Sequence, residues 1–336
     1  MMRGAALWAA GLLVAASAAA PPTPVADFPK PLDFPKEDTA EAAKHFNAAR
    51  TIAGADLFPD FAHRCILDAR YKQRTQGEQY NGLVEPFAAF DDLYSVGQMA
   101  VSAWVLRTKD GLVLFDSLNN ADEARNIIVP NLERLGLNPR DIRTVIITHA
   151  HGDHYGGAAF FQKTYGAHVI ASAIDWDGMT GADRLKVSGW GDPPTRDIAV
   201  ADGETRVIGG VPIRFQVTPG HTAGTLSTIF PVHDRGQRHV VGFYGGLGLP
   251  WTPELRAAQI RSIARWIPIA AKAEVDSQIG NHPLHYEALE RLEMLRYRQP
   301  GQPNPFVLGS AGYSRYMRVQ SECTRLWIAR NGEPQP

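Results

Sequence analysis

A chain of 336 residues with 44% hydrophobic content can bury a full-sized core, as one large domain or two small ones. Its formal net charge is −1, from 34 basic and 35 acidic residues, so there is no basic stripe for nucleic acid and no acidic tail. No stretch approaches the roughly 20 apolar residues of a membrane helix, so neither a nucleic-acid partner nor a membrane span is expected.

In chain order, residues 1–20 have the layout of a signal peptide. Met-Met-Arg-Gly is followed by an Ala/Leu/Trp/Val run from Ala5 to Val14 and by small residues from Ala15 to Ala20. The expected location is periplasmic or secreted; an uncleaved N-terminal anchor is the alternative. Residues 21–40 form a proline-rich leader, extended from Pro21 to Pro35. Residues 41–90 make an N-terminal helical extension, in which Glu41 to Ala53 carries Ala, Phe and Ile at helical spacing and Gly54 stops the helix. The two cysteines, Cys65 and Cys323, either pair, stapling this region to the C-terminal helix, or remain two buried thiols.

From Leu93 the pattern turns to strands. Val101 to Arg107 and Leu112 to Phe115 flank the turn Lys109-Asp110-Gly111 as a hairpin. Ala121 to Leu135 is a helix stopped by Gly136, and the β-branched run Thr144 to Thr148 reads as a buried strand. Phe160 to Tyr165 is expected as a helix, Ala167 to Ala171 as a strand and Met179 to Asp197 as a Gly/Pro-rich loop. Strands follow at Thr205 to Ile208, Ile213 to Thr218, Thr225 to Phe230 and His239 to Tyr244. Helices at Glu254 to Lys272 and Glu287 to Tyr297 flank a strand at Val275 to Ile279, and a helix from Tyr313 to Arg330 closes the chain. Two mixed sheets facing each other with helices outside would satisfy this order.

The segment Thr148-His149-Ala150-His151-Gly152-Asp153-His154 places three imidazoles and a carboxylate in six residues directly after a buried strand. A loop at a strand end can aim such side chains into one cleft, and packing does not account for that density. His221, in Thr218-Pro219-Gly220-His221-Thr222-Ala223-Gly224, and His282, in Ile279-Gly280-Asn281-His282-Pro283, also follow strands and could reach the same sheet edge. His285 is a possible supporting partner or substitute ligand, whereas His45, His63, His168, His233 and His239 have no such setting.

This ordered set resembles the metallo-β-lactamase superfamily: His-x-His-x-Asp-His after a buried strand, Pro-Gly-His-Thr-x-Gly, then a late His-Pro, over about Leu93 to Leu295. The resemblance implies an α/β fold, a four-layer αββα sandwich over residues 91–298, with helical extensions at 41–90 and 299–336. Within the superfamily the pattern is most like the third subclass of zinc β-lactamases, which implies two zinc ions. His149, His151 and His221 would hold the first, and Asp153, His154 and His282 the second. Asp116 resembles the buried aspartate that braces the ligand loop, and Asp153 has the catalytic role of orienting the nucleophile. Thioesterases and lactonases of the superfamily carry a bridging aspartate where this chain has Phe243-Tyr244-Gly245-Gly246-Leu247. The subclass commonly has a serine where this chain has Gly246, so the substrate-binding residues are unknown, with Trp251, Arg184 and Lys186 as candidates near the mouth.

The activity implied is opening of the amide of a small-molecule substrate, a β-lactam, by a metal-activated hydroxide. A hydrolase of another amide, ester or lactone is the alternative within the fold. A non-catalytic zinc-binding protein is the alternative outside it, and it predicts closed coordination.

Overall fold

The computed structural model describes residues 33–70 and 82–336; the expected signal peptide and residues 21–32 of the leader lie outside the described residues. Among those described, the strands form two sheets. The first runs, in spatial order, β1 (Phe87–Ala88), β2 (Leu93–Ser95), β3 (Trp104–Thr108), β4 (Gly111–Phe115), β5 (Ile142–Ile146), β6 (His168–Ser172) and β7 (Ile198–Val200). It is antiparallel from β1 to β4 and parallel from β4 to β7. The second has the order β12 (Ser277–Ile279), β11 (Gln237–Phe243), β10 (Leu226–Asp234), β9 (Val211–Val217) and β8 (Thr205–Ile208), with only β11 and β12 parallel.

Alternation along β5 explains the layers. Ile146 joins a core between the sheets with Trp104, Phe215 and Phe243, while Val145 and Ile147 join a second core under the helical run Ala121 to Arg134. Phe115 and Phe230 stack across the sheets with centroids 4.9 Å apart.

The terminal extensions cover the other face. Helix α1 (Ala40–Ala53) packs with α5 (Pro253–Lys272) and α7 (Gly309–Arg330) in one core on the second sheet, which includes Val240, Tyr244 and Trp266. Cys65 and Cys323 are disulfide-bonded, with Cα atoms 4.8 Å apart, which settles the alternative that the sequence left open. His45 of α1 meets Glu322 of α7 at 2.6 Å, a half-buried polar tie in the same layer.

Several elements differ from the sequence reading. The sheet starts at β1, ahead of Leu93, and its strand is too short for an alternation signal. The first hairpin strand starts at Trp104; Val101 to Ala103 are buried as a loop. The expected loop from Met179 begins inside a helix, α4 (Ala173–Thr180), capped by Ser172, and strand β7, which the sequence reading did not mark, follows directly after its expected end at Asp197. The metal-binding motif is itself half helical: α2 (Gly152–Tyr155) starts right after His151, and α3 (Ala158–Tyr165) follows. The last two helices are labelled α6 (Ala288–Arg296) and α7, which begins four residues earlier than the apolar periodicity marks.

Candidate metal centre

Every segment carrying the motif residues leaves the sandwich at one edge. His149 and His151 lie beyond the C-terminal end of β5, Asp153 and His154 in the first turn of α2, His221 beyond β9, and His282 beyond β12. The Thr148 carbonyl accepts a 2.7 Å bond from Leu226 N, tying the first sheet to β10 where the ligand loop departs. The six side chains fall into two groups, His149–His151–His221 and Asp153–His154–His282, with donor atoms within 4.8 Å of one another in each group.

Asp116 organises one end. Its Oδ1 accepts from Thr148 N and its Oδ2 from Thr148 Oγ1, both at 2.8 Å, and Oδ2 also accepts from His154 Nδ1 at 2.7 Å. It is completely buried, at φ 59°, in the left-handed region. That unfavourable conformation is held because three donors converge on the carboxylate.

The other histidines are oriented in the same manner. Nδ1 of His149 donates to Gly245 O at 3.1 Å, Nδ1 of His221 to Gly248 O at 3.2 Å, and Nδ1 of His282 to Ala100 O at 2.7 Å. Fixing Nδ1–H outward leaves Nε2 as the inward lone pair, the usual arrangement behind metal-ligating imidazole. His149 Nε2 and Asp153 Oδ1 are buried and accept or donate no hydrogen bond, a cost that a bound cation removes. The residues present therefore fit divalent metal, and their nitrogen and carboxylate donors suit zinc.

Charge in the site follows the same logic. Burial drives His149 and His221 well below the ordinary imidazole pKa, helped by the neighbouring histidines, and brings His151 down to about 4 against the pull of Asp153. Burial opposes charge on Asp153 as well, but His154, His282 and His151 outweigh it and hold the carboxyl well below the usual range. On His154 burial is outweighed by Asp153 and Asp116, and the pKa is pushed up to about 10. His154 Nε2 lies 3.2 Å from His282 Nε2, so a cation bound by the second group takes the place of any proton between these two nitrogens.

The two groups open into a cleft of about 400 Å³, where His151, Asp153, His221 and His282 all contribute to the wall. Trp251, expected near the mouth, lines it and stacks on His151 at 5.3 Å; Arg184 and Lys186 do not line it, and Arg184 pairs with Asp192 at 2.8 Å. His285 lines the cleft with its ring 5.4 Å from His282 but stands outside both donor groups. His168, His233 and His239 are each tied to an aspartate away from the centre, at 3.0, 2.7 and 2.7 Å.

Sequence reasoning missed three contributors. Trp190 stacks on His151 at 5.9 Å; the only hint was an aromatic residue in a Gly/Pro-rich loop. Arg64 reaches the cleft from the N-terminal region, with no local signal beyond the adjacent Cys65. Asp175, in the first turn of α4, accepts from Ala150 N, Thr222 Oγ1 and Gly224 N at 3.0, 2.7 and 3.0 Å, clamping the His149–His151 segment to the His221 loop.

The glycines after β11 also have a packing cause. A Cβ on Gly246 would stand 2.6 Å from the His221 Cβ and 3.0 Å from Thr225 Cγ2, and one on Gly248 2.7 Å from the His221 ring. A side chain on Gly245 would run into the Leu226 carbonyl. The segment Gly245 to Gly248, where the sequence reading found no carboxylate, is therefore sterically closed to one at its glycines.

Residues 96–234 match the profile of the metallo-beta-lactamase superfamily, and the chain carries a domain of that superfamily. Among solved structures, it is similar to BJP-1, a subclass B3 metallo-beta-lactamase of Bradyrhizobium japonicum. The TM-score is 0.61 at 26% identity, over 72% of this chain and 93% of that one. FEZ-1 of Legionella gormanii, at 21% identity and TM-score 0.64 over 76% of this chain and 99% of that one, shares the fold. Among curated relatives, a hydroxyacylglutathione hydrolase of Acidiphilium cryptum is 36% identical over 86 residues, 26% of this chain and 30% of that protein. A probable polyketide biosynthesis zinc-dependent hydrolase of Bacillus velezensis is 31% identical over 93 residues, 28% of this chain and 36% of that protein. The chain thus matches only about a third of the length of these curated relatives.

Proposed function

We propose that this chain is an exported hydrolase that binds two zinc ions, one at His149, His151 and His221 and one at Asp153, His154 and His282, and opens the amide of β-lactams. The observation that carries the hydrolase reading is the pair of complete donor groups opening side by side into one cleft. A storage site would enclose its metal, and four of these six ligands line open space instead.

Bound zinc supplies a Lewis acid and a means of activating water near neutral pH. The chain's own residues supply the rest. Asp116 fixes His154 in the tautomer that leaves Nε2 inward. Asp153, kept ionised by the surrounding imidazoles, lines the cleft and is placed to orient an attacking water toward the carbonyl. Trp190 and Trp251 flank His151 and shield that wall from bulk solvent.

The β-lactam assignment rests on the Asp-His-His second group, the closed place after β11 and the likeness to BJP-1. The hydroxyacylglutathione hydrolase relatives favour a second reading, a thioester or another ester, amide or lactone in the same cleft. Export is supported by the signal-like N-terminus and by the disulfide, which belongs to oxidising compartments. Among the described residues no helix is long and apolar enough to cross a membrane.

The test is hydrolysis of a penicillin, a cephalosporin and a carbapenem beside a hydroxyacylglutathione thioester, with added zinc and with a chelator. Chelator-sensitive β-lactam turnover at or above about 10⁴ M⁻¹s⁻¹ is the expected result. Turnover of the thioester alone transfers the assignment to the second reading, and two tightly bound zinc ions without turnover of any carbonyl substrate would return it to metal binding.

A further inference from the structure

One wall of the cleft comes from outside the sandwich. Arg64 lies in the π-helical segment Ala62–Leu67 of the N-terminal region and lines the cleft with His151, Asp153 and His282. Its side chain is only 8% exposed, and its Nε is buried without a hydrogen-bond partner. Its ion-pair neighbour Asp68 stands 4.0 Å from Nη1, beyond hydrogen-bond reach. The other arginine lining the cleft among the described residues, Arg256, is already committed. Its Nε and Nη2 donate to the Glu333 carboxylate at 2.9 and 2.6 Å, and its Nη1 to Pro250 O at 2.7 Å.

The backbone under Arg64 is held firmly. Cys65 is bonded to Cys323 of α7, and the Cys65 carbonyl accepts from Arg330 Nη1 at 2.8 Å. A guanidinium carries a permanent charge in a planar fork matched to carboxylate. The segment Gly245 to Gly248 cannot provide an anion donor from a side chain, since three of its four residues are glycine and Leu247 is buried. If the cleft holds an anion, Arg64 is the guanidinium on its wall that is not tied up in a bidentate pair.

We infer that Arg64 is the anion-holding, specificity-determining residue of the cleft, pairing with a carboxylate of the substrate while the carbonyl to be cleaved lies over the histidine–aspartate centre. This rests on the hydrolase reading and narrows it to substrates that carry a carboxylate beside the scissile carbonyl. The N-terminal helical region, locked to α7 by the disulfide, then acts as a substrate-recognition element as well as a cover for the second sheet.

The test compares benzylpenicillin with its methyl ester, using zinc-loaded full-length protein, the Arg64→Gln variant and the Arg64→Lys variant. Binding of the ring-opened acid, benzylpenicilloate, is measured alongside by calorimetry and requires no turnover. In the unmodified protein the acid is expected to have a KM lower than the ester's by about tenfold to a hundredfold, the worth of a charge-assisted pair. Arg64→Gln should abolish that preference by raising the acid's KM to the ester's, with the zinc content unchanged, and Arg64→Lys should restore part of it.

The acid–ester comparison on unmodified protein needs no variant to fold, so an equal KM for the two already overturns the inference. So does a preference that survives in Arg64→Gln. Arg64-dependent binding of the ring-opened acid without β-lactam hydrolysis would keep Arg64 in this role and remove the β-lactam assignment. Failure of all these carboxylates to bind overturns the role of Arg64, and hydrolysis of acid and ester with equal KM does so while leaving the hydrolase reading standing.

Discussion

Gly246→Ser introduces the residue expected at this position from the resemblance to the third subclass, yet the structure predicts damage to the metal centre. The new Cβ would stand 2.6 Å from the His221 Cβ, where ordinary carbon–carbon contact needs about 3.5 Å or more. The gap of about 1 Å must open by moving His221 or the strand end after β11. Gly245 cannot yield easily, because its carbonyl accepts from His149 Nδ1 at 3.1 Å and from Asn281 Nδ2 at 2.7 Å. His221 therefore moves, pulling its Nδ1 from Gly248 O and displacing Nε2 by several times the ~0.2 Å tolerance of a metal site. The expected cost is about 1–3 kcal/mol of stability from overpacking and about 10- to 100-fold in affinity at the His149–His151–His221 group, with the Asp153–His154–His282 group retained. Competition with a chromophoric chelator should resolve one weakened site and one intact site, beside a lowered melting temperature. Two unchanged affinities would refute the packing argument and reopen Gly246 as a place for a substrate-facing serine.

Asp116→Asn keeps the shape but removes an acceptor from the His154 Nδ1–H, so metal affinity should fall about 10- to 100-fold with the far-ultraviolet circular dichroism unchanged; unaltered affinity in a metal titration demotes Asp116 to packing. Replacing both Cys65 and Cys323 by serine should cost about 2–5 kcal/mol in urea unfolding and raise the KM of a carboxylate substrate through Arg64, and a double variant as stable as the parent would show that the disulfide contributes nothing. Burial raises the Asp175 carboxyl from 3.8 to about 6, against hydrogen bonds from Thr222, Gly224 and Ala150. The folded chain binds this proton more readily than the unfolded one, so the contribution is fully present below about pH 4 and is lost as the pH rises through about 6. The stability of metal-free protein relative to Asp175→Asn should accordingly fall by up to about 3 kcal/mol between pH 4 and pH 7, and a flat difference across that range would contradict the assignment.

The sequence by itself determined what short-range chemistry can encode. The β-branched run ending in Thr148 had to be a buried strand, and the density of His149, His151, Asp153 and His154 behind it had only one economical use. His221 and His282 were legible because each sits in a recognisable turn after a strand, and the structure brings both to the same edge. The helical extensions were legible through their 3.6-residue periodicity; that α1 and α7 share one core with α5 over the second sheet was not.

Only the tertiary structure decided the remainder, because packing joins residues that no periodicity relates. Asp175 clamps two ligand loops from a helix that the apolar pattern hid. Gly246 lacks a side chain because the His221 Cβ fills its space, a relation visible only once β11 and the loop after β9 are set side by side. Arg64 reaches the cleft because Cys65 is joined to a residue 258 positions away, and no local signal in the chain reports a contact closed over that distance.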